Sequence, residues 1–510
     1  VKTTAVVLAG LLTLTACGGG GAGAGVGPSG DPVQGGSARI LIQDDPRSLD
    51  PAMLSNEAAF TASVGNALYG QLIVNDQDTG EISYLLAQDL TSKDAGETFT
   101  LTLKEGLEYS DGSPLTADDV KFNWEHIADP AAASSYAGNA REIESLKAVD
   151  DRTLTIKLRN PNTQFASEIY ETSLNWIAKP ETIQAGPEEI NSRPIGAGPF
   201  VLTEWRRQDA MVFSRNKSYF DKPRPYLDTL EIGMVQDEEQ RLNTVVSGGA
   251  DLAQETQFPA ISGAEQQGLQ VARTSMGGGV ALVLNNDKAP FDDVRARKAL
   301  SYGLDLNLIN DAVNDGTGTV PNTLFPKNSP FFQDIPLHRH DPDRAQALLD
   351  ELAAEGKPLD FTMTIYSSPA AQRLAQSMQT QLSALKGVTM KTRAIEIAET
   401  GQVLAAGDFD ILTSSIPDTA LWLRLRGEAG NNYSGVDDPQ LNQALDAARR
   451  ATDQDEVAAK YKTVQQRLSE LTPVIFYTGL AMAAYGNTDV GGIELYGKGS
   501  PRVDMLWTQP

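Results

Sequence analysis

A single cysteine, Cys17, among 510 residues leaves the chain no intramolecular disulfide, so its fold must be held by buried apolar surface alone. The length permits this, because the fraction of surface that folding buries rises with chain size. The roughly 475 residues after the first glycine-rich stretch are too many for one hydrophobic core, which predicts two or three domains. Hydrophobic residues make up 41% of the chain, and that share with mixed charge builds packed cores rather than disorder.

The position of Cys17 carries a second message. It ends an apolar run, Ala5-Val6-Val7-Leu8-Ala9-Gly10-Leu11-Leu12 and then Leu14-Thr15-Ala16, headed by Lys2. The run is too short to cross a hydrocarbon core of about 30 Å as a helix, and its small-residue ending is that of a secretory signal. Leu14-Thr15-Ala16-Cys17 resembles the bacterial lipobox, whose cysteine is lipidated and becomes the first mature residue. The resemblance implies a lipoprotein signal peptide over residues 1–17 and an extracytoplasmic protein, anchored to the outer face of the cytoplasmic membrane by lipid on Cys17. An incidental cysteine beside a cleavage site is the plainer alternative. Residues 18–37, mostly Gly, Ala, Ser and Pro, bury little apolar surface and read as a flexible tether.

The net charge of −25 argues against nucleic acid as a partner, since phosphates need basic patches. An acidic surface keeps an exported protein soluble, and it steers cationic ligands weakly at long range.

Hydrophobic periodicity divides the body in two. Ala38 to Asp44, Phe99 to Lys104 and Thr153 to Leu158 alternate as strands, and a helical stretch runs from about Glu57 to Tyr69. Thr116-Ala117-Asp118-Asp119 has the form of a capping box for a helix through Val120, Trp124 and Ile127. This first half is α+β. In the second half, strand Phe361–Tyr366, helix Ala370–Leu385, strand Val388–Ile397, a further helical stretch and a short strand Phe409–Leu412 alternate as in an α/β domain with parallel pairing. Ligands of such sheets bind beyond the carboxyl ends of the strands, which directs attention to the segment after Leu412.

Motifs for catalysis are absent: there is no Gly-x-Ser-x-Gly elbow, Walker loop or His-Glu-x-x-His. His338-Arg339-His340-Asp341 has the look of a metal fragment, but Arg339 repels a cation and a solvated connector fits better. The pairs Asp118-Asp119, Asp292-Asp293 and Asp437-Asp438 stand at helix starts, where carboxylates favour the dipole. The chain therefore reads as a non-enzyme with no cofactor and no metal site.

A series of blocks resembles the dipeptide/oligopeptide/nickel family of solute-binding proteins for ABC transporters. These are Ser48-Leu49-Asp50-Pro51, Leu68-Tyr69-Gly70-Gln71-Leu72, and Tyr109-Ser110-Asp111-Gly112-Ser113-Pro114-Leu115-Thr116-Ala117-Asp118-Asp119-Val120. Pro194-Ile195-Gly196-Ala197-Gly198-Pro199-Phe200 and Pro290-Phe291-Asp292-Asp293-Val294-Arg295-Ala296-Arg297-Lys298-Ala299-Leu300 follow in order. They are scaffold signatures, which identify a fold and not a cargo. The resemblance implies a mixed α/β and α+β fold of the periplasmic-binding-protein type II, a two-lobed clamp with an extra third domain. Lobe I would comprise residues 38–59, 190–278 and 480–510, the extra domain 60–189 and lobe II 279–479, with hinges near Gly277–Gly279 and Ile475–Gly479. It also implies a monomer that closes on a small-molecule or peptide ligand and docks on permease subunits driven by a cytoplasmic ATPase.

In peptide-binding members an aspartate after the last parallel strand holds the ligand's α-ammonium. An ungapped placement puts Ser415 at that position, and Asp418 takes it only if the loop is shifted. A serine there weighs against ordinary dipeptides, because a buried ammonium without a counter-charge is costly. Further on, Trp422, Arg424, Arg426, Asn432 and Tyr433 offer stacking and anion pairing. A packed helix with a solvated face explains them equally well. Asn56 and Glu57 stand where the family's first loop approaches ligand, and Trp176 closes the cleft from the third domain or else belongs to a core. A sugar, opine or metal chelate, or presentation of ligand to a receptor, remains compatible with the same fold.

Overall fold

The computed structural model describes Pro28 and residues 30–509, apart from residues 78, 275, 397, 398 and 430. Cys17, the signal-like run and nearly all of the glycine-rich segment before residue 28 lie outside the described residues.

Three sheets organise the chain. The largest has seven strands in the order Gln270–Arg273, Ala483–Gly486, Leu252–Glu255, Ser37–Ile42, Thr229–Met234, Ala210–Arg215 and Phe200–Arg206. Ser37–Ile42 lies between two parallel neighbours, and its run Ile40-Leu41-Ile42 is buried on both faces. Ile40 and Ile42 pack with Val64, Phe213 and Leu230, while Leu41 turns to Val245, Ala253 and Tyr485.

A four-stranded antiparallel sheet pairs Ala87–Ser92, Thr98–Leu103, Thr153–Leu158 and Ile143–Asp150. Phe99, Leu101 and Leu103 point to a core shared with Trp124 and Ile127, and the intervening threonines are only partly covered. Helix Ala117–Ala128 begins as its sequence demands, with Asp119 Oδ2 accepting from Thr116 N at 2.8 Å.

The third sheet has five strands, Val388–Ile395, Leu359–Tyr366, Ile411–Pro417, Gly278–Leu284 and Val474–Thr478. Leu359–Tyr366 is parallel to both Val388–Ile395 and Ile411–Pro417, whereas Gly278–Leu284 is antiparallel to its two neighbours. Clusters cover both faces, one with Leu282, Leu284 and Ile411, the other with Ala281, Val283, Leu412 and Ile416. The strand read from sequence as ending at Leu412 runs to Pro417. Thr413, Ser414 and Ser415 satisfy their backbones against Leu282, Ala281 and Val280, so side-chain polarity does not end the ladder.

The chain crosses between the seven-stranded and five-stranded units twice, after Arg273 and after Thr478. At the first crossing Gly278 adopts φ +75°, and a Cβ there would collide with the Ile416 carbonyl oxygen. The acidic pairs behave as helix starts: Asp293 accepts from Arg295 N at 2.9 Å and Asp438 from Leu441 N at 2.8 Å. His338 is hydrogen-bonded to Ser301 at 3.1 Å, and burial pulls its pKa down to about 4. His340 stands 3.7 Å from Asp305.

Candidate functional site

The four-stranded unit meets the five-stranded unit across a cleft of about 730 Å³, its open mouth included, with Lys498 of the C-terminal segment reaching into it. Strand Ile411–Pro417 delivers the far wall. Pro417 ends the strand, Asp418–Ala420 make one tight turn, and helix Leu421–Leu425 follows. That turn places Thr419 and Trp422 on the cleft. Asp418 is held by the first crossing segment: its Oδ2 accepts from Gly277 N at 3.1 Å and its Oδ1 from Thr419 N at 3.0 Å. Burial raises the Asp418 carboxyl above its usual range, against the pull of these donors.

Opposite lies Glu171, which follows helix Phe165–Tyr170 and is 7% exposed. Its Oε2 accepts from Thr419 Oγ1 at 2.7 Å. Burial pushes its pKa up to about 7, with Asp418 and Glu168 adding to the rise and Lys498 and Thr419 opposing it. Lys498 Nζ is 3.4 Å from Glu57 Oε1 and 5.9 Å from the centre of the Tyr136 ring. Burial pulls its pKa down, but Glu57, Tyr136 and Glu171 more than offset that and hold it above the ordinary lysine value.

A second polar group fills the other end. Arg449, near the carboxyl end of helix Pro439–Arg450, stands with Cζ 4.0 Å from the Trp422 ring centroid. Its Nη1 is 3.0 Å from Glu142 Oε2 and its Nη2 3.9 Å from Glu168 Oε1. Thr163 of the four-stranded unit donates from N to Arg449 O at 2.9 Å and from Oγ1 to Ala451 O at 2.8 Å.

Of the residues singled out from sequence, Trp422 lines the cleft, and Asp418 and Glu57 adjoin it through Thr419 and Lys498. Ser415 sits inside its strand opposite Val280, exposed, two residues before the strand ends, and does not line the cleft. Asn56 is buried and saturated, donating to Tyr170 O at 3.0 Å and accepting from Ser500 Oγ at 2.6 Å. Trp176 belongs to the core, fully buried on Gly65 with Nε1 donating to Asn66 Oδ1 at 2.9 Å. Arg424 stands 5.0 Å over the Tyr433 ring, Arg426 donates to Gly427 O at 2.6 Å, and Asn432 clips its own loop to Val436 O at 2.8 Å. These four residues do not line the cleft.

Sequence reasoning missed Glu142, Glu168, Glu171, Arg449 and Lys498. Glu168 and Glu171 are three apart on one short helical turn, and no motif joins them to residues 250 or more positions away.

Comparison with known proteins agrees with this architecture. Residues 81–420 match the model for bacterial extracellular solute-binding proteins, family 5. The chain is 27% identical to heme-binding protein A of Haemophilus influenzae over 476 residues, covering 84% of each chain. It is 26% identical to the glutathione-binding protein GsiB of Pectobacterium atrosepticum over 451 residues, covering 84% of this chain and 86% of that one. The binding protein AgaA of A. tumefaciens R10, solved with agropinic acid, superposes with a TM-score of 0.79 at 21% identity, covering 93% of this chain and 99% of that one. A match across two thirds of the chain, together with two crossings that join two sheet units around a cleft, places this protein in the bacterial extracellular solute-binding proteins, family 5.

Proposed function

We propose that the protein captures a peptide-like solute with a free amino terminus and hands it to the permease of an ABC importer, held at the membrane by lipid on Cys17. Residues 38–59, 190–278 and 480–510 act as lobe I, residues 279–479 as lobe II, and residues 60–189 as an extra domain that forms the jaw of lobe I. The two crossings act as the hinge, and ligand stabilises the closed form through contacts made only there. The protein binds and releases, with no chemical step, as one monomer.

The observation that carries this reading is the pairing of the buried Glu171 with Thr419, next to Asp418. Asp418 adjoins that contact through Thr419 N, and the hydrogen-bond partner of Glu171 is a neutral hydroxyl while Lys498 is bonded to Glu57. A primary ammonium adds a positive charge beside Lys498 and hydrogen-bonds to Glu171, with Asp418 close behind. Asp418 then takes the ammonium-holding role, as it would with the loop shifted from the ungapped placement at Ser415. Calorimetric titration with Ala-Ala-Ala and with its N-acetyl form tests the reading. Binding of the free peptide alone supports it, and equal binding of both, or of neither, refutes it.

A further inference from the structure

We infer that the cleft holds a second cation subsite, built by Glu142, Glu168 and Trp422, which Arg449 fills when the cleft is shut without ligand. It takes a guanidinium or side-chain ammonium, so the solute is a basic peptide. The inference rests on the peptide reading above and adds the class of side chain.

Three observations lead there. First, charge does not balance: Glu57, Glu142, Glu168, Glu171 and Asp418 line or adjoin the cleft against Arg449 and Lys498. Arg449 alone answers two carboxylates, so that end of the cleft stays net negative with Arg449 in place. Second, the carboxylates are held in position from behind. Asn160 Nδ2 donates to Glu142 Oε2 at 3.2 Å, and Asn139 Nδ2 donates to Glu168 Oε2. Trp422 is fixed by Nε1 donating to Asp446 Oδ1 at 2.7 Å, presenting its ring face to the guanidinium. A flat cation on an indole with carboxylates at its edge is the arrangement such a group binds most strongly.

Third, Arg449 is a removable occupant. Both of its carboxylate partners belong to the opposite unit, so these ion pairs exist only while the cleft is shut. Released, the side chain stands near the carboxyl end of its own helix, where a cation is favoured. A ligand cation therefore replaces Arg449 without stranding it in a buried, unpaired state.

The test uses the purified protein and calorimetry with Ala-Arg-Ala, Ala-Ala-Arg and Ala-Ala-Ala, each arginine peptide paired with its citrulline counterpart, a neutral isostere. Arginine at one of the two positions should bind about tenfold or more tighter than citrulline. In a Glu142→Gln/Glu168→Gln variant that still binds Ala-Ala-Ala, that ratio should fall to near one. A ratio near one at both positions in the unaltered protein overturns the second subsite and leaves the peptide reading standing. Failure of every peptide, Ala-Ala-Ala included, overturns both.

Discussion

Thr419 Oγ1 donates to Glu171 Oε2 at 2.7 Å, joining the five-stranded unit to the four-stranded one at the point where Asp418 also arrives. The bond exists only in the closed arrangement, because its two residues come from opposite walls. Closure therefore brings two acidic groups out of water together, which disfavours their joint ionisation unless a cation or a proton enters with them. On the proposed reading, such a clamp closes more readily on a cationic solute than on an anionic one.

Replacing Glu171 by Gln keeps the shape and the hydrogen bond to Thr419 but removes the charge. Affinity for Ala-Ala-Ala should fall by about 1.5–3 kcal/mol, the range for a hydrogen bond to a charged group. The melting temperature of the unliganded variant should not fall, since a buried carboxyl that prefers its proton loses little on becoming an amide. Calorimetry and a thermal melt check both. A variant that binds the peptide normally would remove Glu171 from the site.

The raised pKa of Glu171 makes binding proton-linked. A carboxyl whose native pKa lies near 7 holds its proton more tightly than the unfolded chain does, where its ordinary value is 4.5. Its contribution to stability is thus complete below that lower value and lost as pH rises toward about 7. An incoming ammonium needs the ionised form, so binding at about pH 6.5 expels up to one proton per ligand, and the release fades toward pH 8. Titrations in buffers of different ionisation enthalpy measure this directly. Proton uptake, or release that persists in Glu171→Gln, contradicts it.

Much of the scaffold is written locally. The Thr-x-Thr-x alternation of Thr98–Leu103, the Thr116–Asp119 capping box and the aspartates before helices Val294–Gly303 and Pro439–Arg450 are decided by neighbours within a few residues. The cleft is not. Arg449 meets Glu142 across 307 residues and Lys498 meets Glu57 across 441, so each is an ordinary surface-type charge until the chain is folded. The end of strand Ile411–Pro417 is set in another way: it stops where Pro417 removes a donor and a new turn begins, not where apolar residues run out.

Gly278 is constrained twice, by φ +75° and by the Ile416 carbonyl oxygen against which a Cβ would press. Gly248 has nearly the same φ, +76°, with nothing within 4 Å. Gly248→Ala should therefore cost about 1–2 kcal/mol, the left-handed penalty alone. Gly278→Ala should cost more and also alter closure, because the crossing it would shift carries Gly277, a donor to Asp418. Denaturant melts of the two variants, with scattering to compare their compactness, separate strain from collision. Equal stability losses would mean that the crossing yields freely.

If Cys17 carries the lipid, Cys17→Ser should release the protein from the membrane fraction of the producing cells without changing peptide affinity. One acyl chain holds only marginally, whereas the two or three chains of lipobox chemistry hold firmly, so release should be near complete. Transport at low solute concentration should fall, because the tether no longer keeps the clamp concentrated beside its permease. Fractionation of cells expressing both forms decides it: a serine variant that stays with the membrane excludes Cys17 as the anchor.

Trp422 and Arg424 share a short helix, Leu421–Leu425, yet the fold gives them different surroundings. Trp422 lines the cleft, carries the Arg449 guanidinium on its face and is fixed by Asp446. Arg424 turns to the Tyr433 ring instead, away from the lining residues. Trp422→Ala removes both the ring surface and the seat of a cation, which should weaken basic peptides by about 1–2 kcal/mol and neutral ones by less. Arg424→Ala should leave both affinities within about twofold, since the half-buried Arg424 makes its cation–π contact with Tyr433, outside the cleft lining. Paired calorimetry on the single variants reads this out. Weakening of peptide binding by Arg424→Ala alone would mean that the loop after the helix folds back over bound ligand, and the cleft wall would have to be redrawn to include Tyr433.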